Sequence, residues 1–348
     1  MKTPSSSGTM PRWPRYKHHR MQQQPLFQWG VLLATVALLV VGLHFLTTMI
    51  PFASDWEVYF RPITRGWLDG SLVLYEDTQW GCGFWNPPWL LWLLIPLAGW
   101  PTWVGWGLLV TGTILLIAWF TKEYPARYRW LIFASPSIAV FVVYGPVEIV
   151  PMLGIILAWL ADDRPHLLGL ALVLMAAKPQ ACFLVALWLL LHHRQRFRAM
   201  LVPLGVFLLS LIIHGWDWPL RWAGGPSILR LVNVGHNITP WRSIGLWMAP
   251  VAVALAWWVL RLPRTRRNLG ALVAAHPLIT LYLGSHSLIH VLTFSLLPLG
   301  LGWAFAGWLT SFSVFLRGWF GKAFMRLDFI IAAVLMIGYL LGKGQEEP

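Results

Sequence analysis

The sequence predicts an all-α polytopic membrane protein, and three observations predict it. Hydrophobic residues make up 57% of the 348-residue chain and charged residues 11%, against roughly 25% charged in an average soluble domain. Apolar runs follow one another with few interruptions from residue 26 to residue 341. The cations, 26 Lys and Arg against 13 Asp and Glu for a net charge of +13, fall in short clusters between those runs. A nucleic-acid binder gathers such an excess on a soluble face. Clusters between apolar stretches are instead positive-inside topology signals, so no nucleic-acid partner is expected. Two cysteines, Cys82 and Cys182, are too few for a disulfide scaffold.

Residues 1–25 carry five cations (Lys2, Arg12, Arg15, Lys17, Arg20) and no acid, and read as a disordered basic cytosolic tail. The apolar run Leu26–Ile50 is too long for a signal-peptide core and lacks a small-residue cleavage site, so it reads as a retained first helix with its N-terminus cytosolic. Residues 26–341 then form one transmembrane domain and 342–348 a C-terminal tail. The first extracytoplasmic loop, 51–87, holds five of the 13 acids (Asp55, Glu57, Asp69, Glu76, Asp77) with aromatics interleaved, as in helices lying along a bilayer surface. Arg65 and Asp69 stand at pairing distance in such a helix.

Later apolar segments are expected near 88–98, 102–120, 130–144, 147–161, 167–191, 199–215, 243–260, 269–283, 288–310 and 327–341. Basic clusters at Lys122–Arg129, Arg194–Arg198, Arg261–Arg267 and Arg317–Arg326 ask to be cytosolic. Residues 130–161 then turn at Gly145–Pro146, and 167–191 turn near Lys178–Pro179. One of 88–98 and 102–120 is tilted or re-entrant, giving nine to eleven transmembrane or re-entrant helices. A second loop (215–242) and a short third one (284–290) open on the same face as the first.

The candidate chemistry gathers in these loops. In Asp55-Trp-Glu57-Val-Tyr59, Asp55 and Tyr59 share a helical face and Asp55 and Glu57 do not, so one carboxylate can enter a membrane-edge cavity as a general base while the other stays in water. The ordinary reading is a solvated interfacial acid. Gly66-Trp-Leu-Asp-Gly70, Leu74-Tyr75, Phe84-Trp-Asn-Pro-Pro88 and Ile95-Pro-Leu97 follow in order. Further along stand an apolar helix closed by Lys178-Pro179 and a late Ser285-His-Ser-Leu-Ile-His290 segment before Leu297-Pro298. Over about residues 26–310 this order resembles the polyprenol-phosphate-dependent mannosyltransferases of glycosyltransferase family 87, in the GT-C superfamily. Gly145-Pro146 departs from the Gly-Gln or Gly-Asn of that family, Glu57 is an additional acid, and the chain is shorter after residue 310.

The resemblance implies a GT-C-like bundle in the cell membrane with an extracytoplasmic active site. It implies an inverting hexosyltransferase, mannose favoured, moving the sugar from a polyprenyl monophosphate to a glycolipid or glycan acceptor hydroxyl. Asp55 is its general base, Glu57 and Tyr59 supporting groups at the acceptor. Cations can stabilise a phosphate leaving group without a metal or cofactor. The phosphate-binding candidates are His286, His290, Arg221, Arg230, Arg242 and Lys178, with Arg61 and Arg65 also within topological reach.

Each also has an ordinary role: the histidines as a hydrogen-bonded pair, the arginines as interface snorkels, Lys178 as a helix breaker beside Pro179. Two histidines without a third ligand make a poor zinc site, so no metal is expected. Most of the 25 tryptophans belong to an aromatic belt; Trp216, Trp218, Trp222 and Trp241 are the candidates for stacking on a sugar. Asn237-Ile-Thr239 matches a glycosylation triplet. The competing classes are a lipid or solute transporter and an inactive binder of a lipid-linked sugar.

Overall fold

Proline sets the lengths of the helices. A computed structural model of the chain describes residues 55–75, 84–161, 163–224, 237–312 and 329–341. The expected first helix, Cys82, Arg230, His236 and the acids Glu76 and Asp77 lie outside the described residues. After a π-helical turn, Trp56–Phe60, come α1 (Arg61–Leu68), α2 (Trp89–Ala98), α3 (Thr102–Phe120), α4 (Ala126–Phe133) and α5 (Pro136–Tyr144). Then follow α6 (Ile149–Leu160), α7 (Pro165–Ala176), α8 (Pro179–Leu191), α9 (Arg196–Ala199), α10 (Leu201–His214) and α11 (Trp218–Gly224). The last are α12 (Trp241–Ile244), α13 (Ala249–Leu260), α14 (Arg266–Ile279), α15 (Leu288–Ser295), α16 (Leu301–Thr310) and α17 (Ile330–Leu341).

Pro136, Pro165, Pro179 and Pro250 occupy first helical turns, where a missing N–H costs nothing. Pro88, Pro101 and Pro125 stand just ahead of α2, α3 and α4.

Among the described residues the chain is helical, without strands. Three stretches are long and apolar enough to cross a membrane: Thr102–Phe120, Arg196–His214 and Trp241–Leu260; α4 and α5, bent by 47°, pass the same test together. Of the neighbours α2 and α3, α2 is the short one, at ten residues about 15 Å long. The expected 288–310 segment is two helices, because Pro298 and Gly300 interrupt it. The turns at Gly145–Pro146 and Lys178–Pro179 are present. α7 packs along α8, whereas α6 packs on α7 and α3. Asp69 accepts from the Ser71 N–H at 3.0 Å rather than forming an ion pair with Arg65, because it closes the end of α1.

The 19-residue α3 separates two ends by about 28 Å. Near its start Trp56 packs against Gly105, and Trp106 donates to the Val142 carbonyl at 3.0 Å. Past its other end the Arg266 guanidinium lies 5.3 Å from the Phe120 ring and 4.8 Å from the Tyr124 ring. Arg264 there caps α6 through the Ala158 and Trp159 carbonyls (3.1 and 2.8 Å), Trp188 donates to Leu262, and α9 packs on α7 at Gly169. The described parts of three basic clusters, around Lys122, Arg196 and Arg264, therefore gather at one end of the bundle. The aromatic loops meet at the other.

Candidate functional site

Three helix breaks converge on one buried carboxylate. The α5–α6 break is a single 3-10 turn, Pro146–Glu148. The α7–α8 break leaves Lys178 outside both helices, and α8 is kinked at Cys182, whose thiol donates to the Met175 carbonyl at 3.3 Å. The third break precedes α15, where Ser285–Ser287 form a 3-10 turn. Glu148 is fully buried, and it accepts hydrogen bonds from Lys178, from the Ser287 hydroxyl (2.8 Å) and from His290 Nε2. His286 Nε2 lies 3.2 Å from the same carboxylate and 3.1 Å from Lys178 Nζ.

Lysine has donors only. His286 Nε2 therefore accepts, and the Lys178 ammonium sits between two acceptors. His290 holds its proton on Nε2, while its buried Nδ1 has no hydrogen-bond partner among the described residues. An ion pair buried this deeply is helped by the further hydrogen bonds that Ser287 and His290 give the carboxylate and by the His286 contact with the ammonium.

The backbone around the histidines is held from the second loop. Asn237 is 1% exposed; its side chain accepts from Leu283 N (3.0 Å) and donates to the Leu281 carbonyl (3.2 Å), and Thr239 donates to the same carbonyl. The Asn237 amide is thus part of the scaffold and is closed to a glycan. A Cβ on Gly284 would lie 2.4 Å from the His286 ring, and one on Gly145 2.9 Å from the His286 Cβ. Gly145 thus gives room to a site residue.

Asp55 opens the π-helical turn. It is half-buried, and its carboxylate caps no backbone N–H. Burial pushes it up to about 6; the negative charge of Glu148 acts in the same direction and Lys178 opposes both. The charges of Lys178 and Glu148 thus reach Asp55, and His286 and His290 contact that pair. π-Helical turns recur at functional sites. Here the turn carries Trp56 into the core and leaves Glu57 exposed.

Tyr59 accepts from the Trp85 N–H at 3.0 Å and stacks on Phe84. Trp222 donates to the Trp85 carbonyl at 2.9 Å, and the Trp85 ring meets Tyr282 edge-on. Trp222 therefore ties the second loop to the first, and Trp85 sets the first loop against the segment that leads into the third.

The other candidates lie elsewhere. Arg221 pairs with Asp217 at 3.1 Å and donates to the Leu74 and His214 carbonyls, bracing α11 against the first loop. Trp218 is buried, donates to the Ser210 hydroxyl and packs on Tyr75 and Trp89, so it is a core side chain. Trp216 is 79% exposed and faces outward. Arg242 and Trp241 are half-buried on the short α12, and the buried Trp241 Nε1 has no hydrogen-bond partner among the described residues. Arg61 donates to the Trp100 carbonyl, and Arg65 is exposed.

Sequence reasoning passed over Glu148 and Ser287. The available signal was Glu148 itself, the one acid between Glu123 and Asp162, since an ionisable group inside an apolar run marks a functional site by default. Asn86 and Gln180 were also missed: Gln180 donates to Asn86 at 3.3 Å, and its carbonyl receives His276 at 2.9 Å. No group of three or more His, Cys, Asp or Glu side chains among the described residues is arranged to hold a metal. Compared with known proteins, the chain matches no family model, no curated protein and no solved structure.

Proposed function

We propose that the protein is an integral membrane glycosyltransferase of GT-C type, moving a hexose from a polyprenyl monophosphate to an acceptor hydroxyl at the membrane surface. The observation that carries this reading is Asp55: a half-buried carboxylate at the head of a surface turn, electrostatically coupled to a buried lysine and histidine cluster. The order of motifs from Asp55 to Pro298 supports the substrate class.

In this reading Asp55 takes the acceptor hydroxyl proton as the oxygen attacks the anomeric carbon. The bond from that carbon to the phosphate oxygen breaks, and its electron pair leaves with the polyprenyl phosphate. His286, neutral and oriented by the Lys178 ammonium, offers its other ring N–H to the departing phosphate, and Lys178 supplies the positive charge behind it. Glu57, exposed one residue beyond Trp56, belongs to the acceptor side.

The test is transfer from a polyprenyl-phosphate hexose by purified protein and by its Asp55→Asn variant. Loss of a general base lowers the rate by about 10² to 10⁴ while donor binding persists. Undiminished transfer by the variant removes Asp55 from the mechanism.

One observation favours a second reading. Ionisable groups at interrupted helices also mark transporters, whose sites lie where helices are discontinuous. Solute accumulation in proteoliposomes, with no glycosylated product, selects that reading over the transferase.

A further inference from the structure

The carboxylate that gathers most donors is not the one assigned to the chemistry. Glu148 is reached by Lys178, Ser287 and His290, with His286 beside it, and these partners come from two helix breaks other than its own. Lys178 also touches His286, at 3.1 Å. Removing Glu148 would leave a buried ammonium and an imidazole N–H without their acceptor.

Helix α3 fixes where this cluster stands relative to Asp55. Trp56, next to Asp55, fits against α3 at Gly105, where a Cβ would come within 2.6 Å of the indole. Ile149, next to Glu148, fits at Gly112, where a Cβ would come within 2.7 Å of the Ile149 Cδ1. Gly105 and Gly112 are seven residues apart, two turns along one face, or about 10.5 Å. Asp55 and Glu148 are thus held beside the same face of an uncharged helix.

We infer that Glu148 is a positioning residue, which holds Lys178, His286 and His290 as a fixed array facing Asp55 and sets the charge that Asp55 meets. The inference takes its chemistry from the transferase reading of Asp55. The titratable and charged groups around Asp55 are Glu57, Tyr59 and Arg61 along its own turn and the start of α1, with Arg65 one turn on. α3 supplies none, and Glu148 and Lys178 act on Asp55 from the neighbouring helix breaks, with His286 and His290 in contact with them. Of these, Lys178 favours the carboxylate form and Glu148 disfavours it.

The array is tested on the full-length protein in detergent by carbodiimide labelling of Asp55 with glycine ethyl ester across pH, read by peptide mass spectrometry. The reagent takes the protonated carboxyl, so the labelling midpoint reports its charge. Glu148→Gln keeps the side-chain shape and moves the midpoint down by about 1 pH unit; Lys178→Met moves it up by about as much, from Coulomb's law at roughly 10 Å and an effective dielectric near 20. The two shifts report the charge that Asp55 meets, and the turnover of the paired variant decides positioning. Midpoints that coincide with wild type, or move in the same direction, overturn the inference.

Each single neutralisation strands its buried partner, so the paired Glu148→Gln/Lys178→Met variant is run beside them. In it the midpoint lies between those of the single variants. Melting stays near wild type, and transfer from a polyprenyl-phosphate hexose drops at least about tenfold in kcat with KM unchanged, as expected when an oriented array loses its anchor. Wild-type kcat in the folded pair overturns the positioning role. Absence of transfer in wild type itself overturns the transferase reading instead, and the signed labelling shifts then decide the role of Glu148 alone.

Discussion

At the scale of the residue, Asp55 makes the sharpest commitment. Its carboxyl titrates near 6 instead of near 3.8 because folding removes it from water, so the folded protein holds the proton more tightly than the unfolded chain. Between those two values the folded state binds more protons, and stability falls as pH rises through the interval. The cost is fully present above 6 and absent below 3.8. Asp55→Asn removes the charge, so its melting temperature gains on wild type as pH is raised from 4 to 7, in a series of detergent melts. A difference that stays flat across that range would mean that Asp55 is solvated like a surface acid. As a base Asp55 works only when ionised, so kcat/KM climbs tenfold per pH unit up to about 6 and then levels.

At the scale of the element, α3 links the candidate base to the buried cluster, and its two close approaches differ in kind. The atoms met at Gly105 belong to the rigid ring of Trp56, which is fully buried, whereas those met at Gly112 are the end of a flexible isoleucine. Gly105→Ala therefore overpacks the core and costs about 1–3 kcal/mol. In Gly112→Ala the isoleucine methyl turns aside, and the gain in helix propensity, about 0.5–1 kcal/mol, offsets the crowding. Thermal unfolding of the two variants in one detergent checks the ranking; a Gly105→Ala variant as stable as wild type would remove the argument that α3 sets the Asp55 to Glu148 spacing.

Legibility in the sequence followed the same line. The helix breaks were readable, because Gly145-Pro146 and Lys178-Pro179 impose them through backbone sterics. Asp55, Lys178, His286 and His290 were readable as ionisable groups at the edges of apolar runs. Glu148 was not recognised, since the turn around it was judged by its neighbours and not by its own charge. The roles of Trp218 and Arg221 were hidden for another reason: each is fixed by partners far away in sequence, Ser210 and Tyr75 for one, Leu74 and His214 for the other.

At the scale of the whole molecule, the basic clusters and the polar loops stand at opposite ends of the described bundle. Arg264 and Arg266 reach the ends of α6 and α3, and α9 with Arg196 and Arg198 packs beside them on α7. Asp55, Trp85, Trp222 and the His286 turn gather at the opposite pole. Among the described residues most cations stand at one end and the polar loops meet at the other, the pattern expected of a helical bundle in a membrane with unlike faces. The run Arg196–His214 tests this directly. It is 19 residues long, or about 28 Å, and only 11% of its apolar window is buried against the rest of the chain. Phe197 at its start is 80% exposed and Trp216 just past its end is 79% exposed, so a cysteine at either position is accessible without disturbing the core. In a background with Cys82 and Cys182 replaced, an impermeant maleimide added to intact cells labels Trp216→Cys. It labels Phe197→Cys only after the membrane is opened. Labelling of both from outside would mean that the run does not cross, and Asp55 would then lose its place at a membrane surface opposite the basic pole.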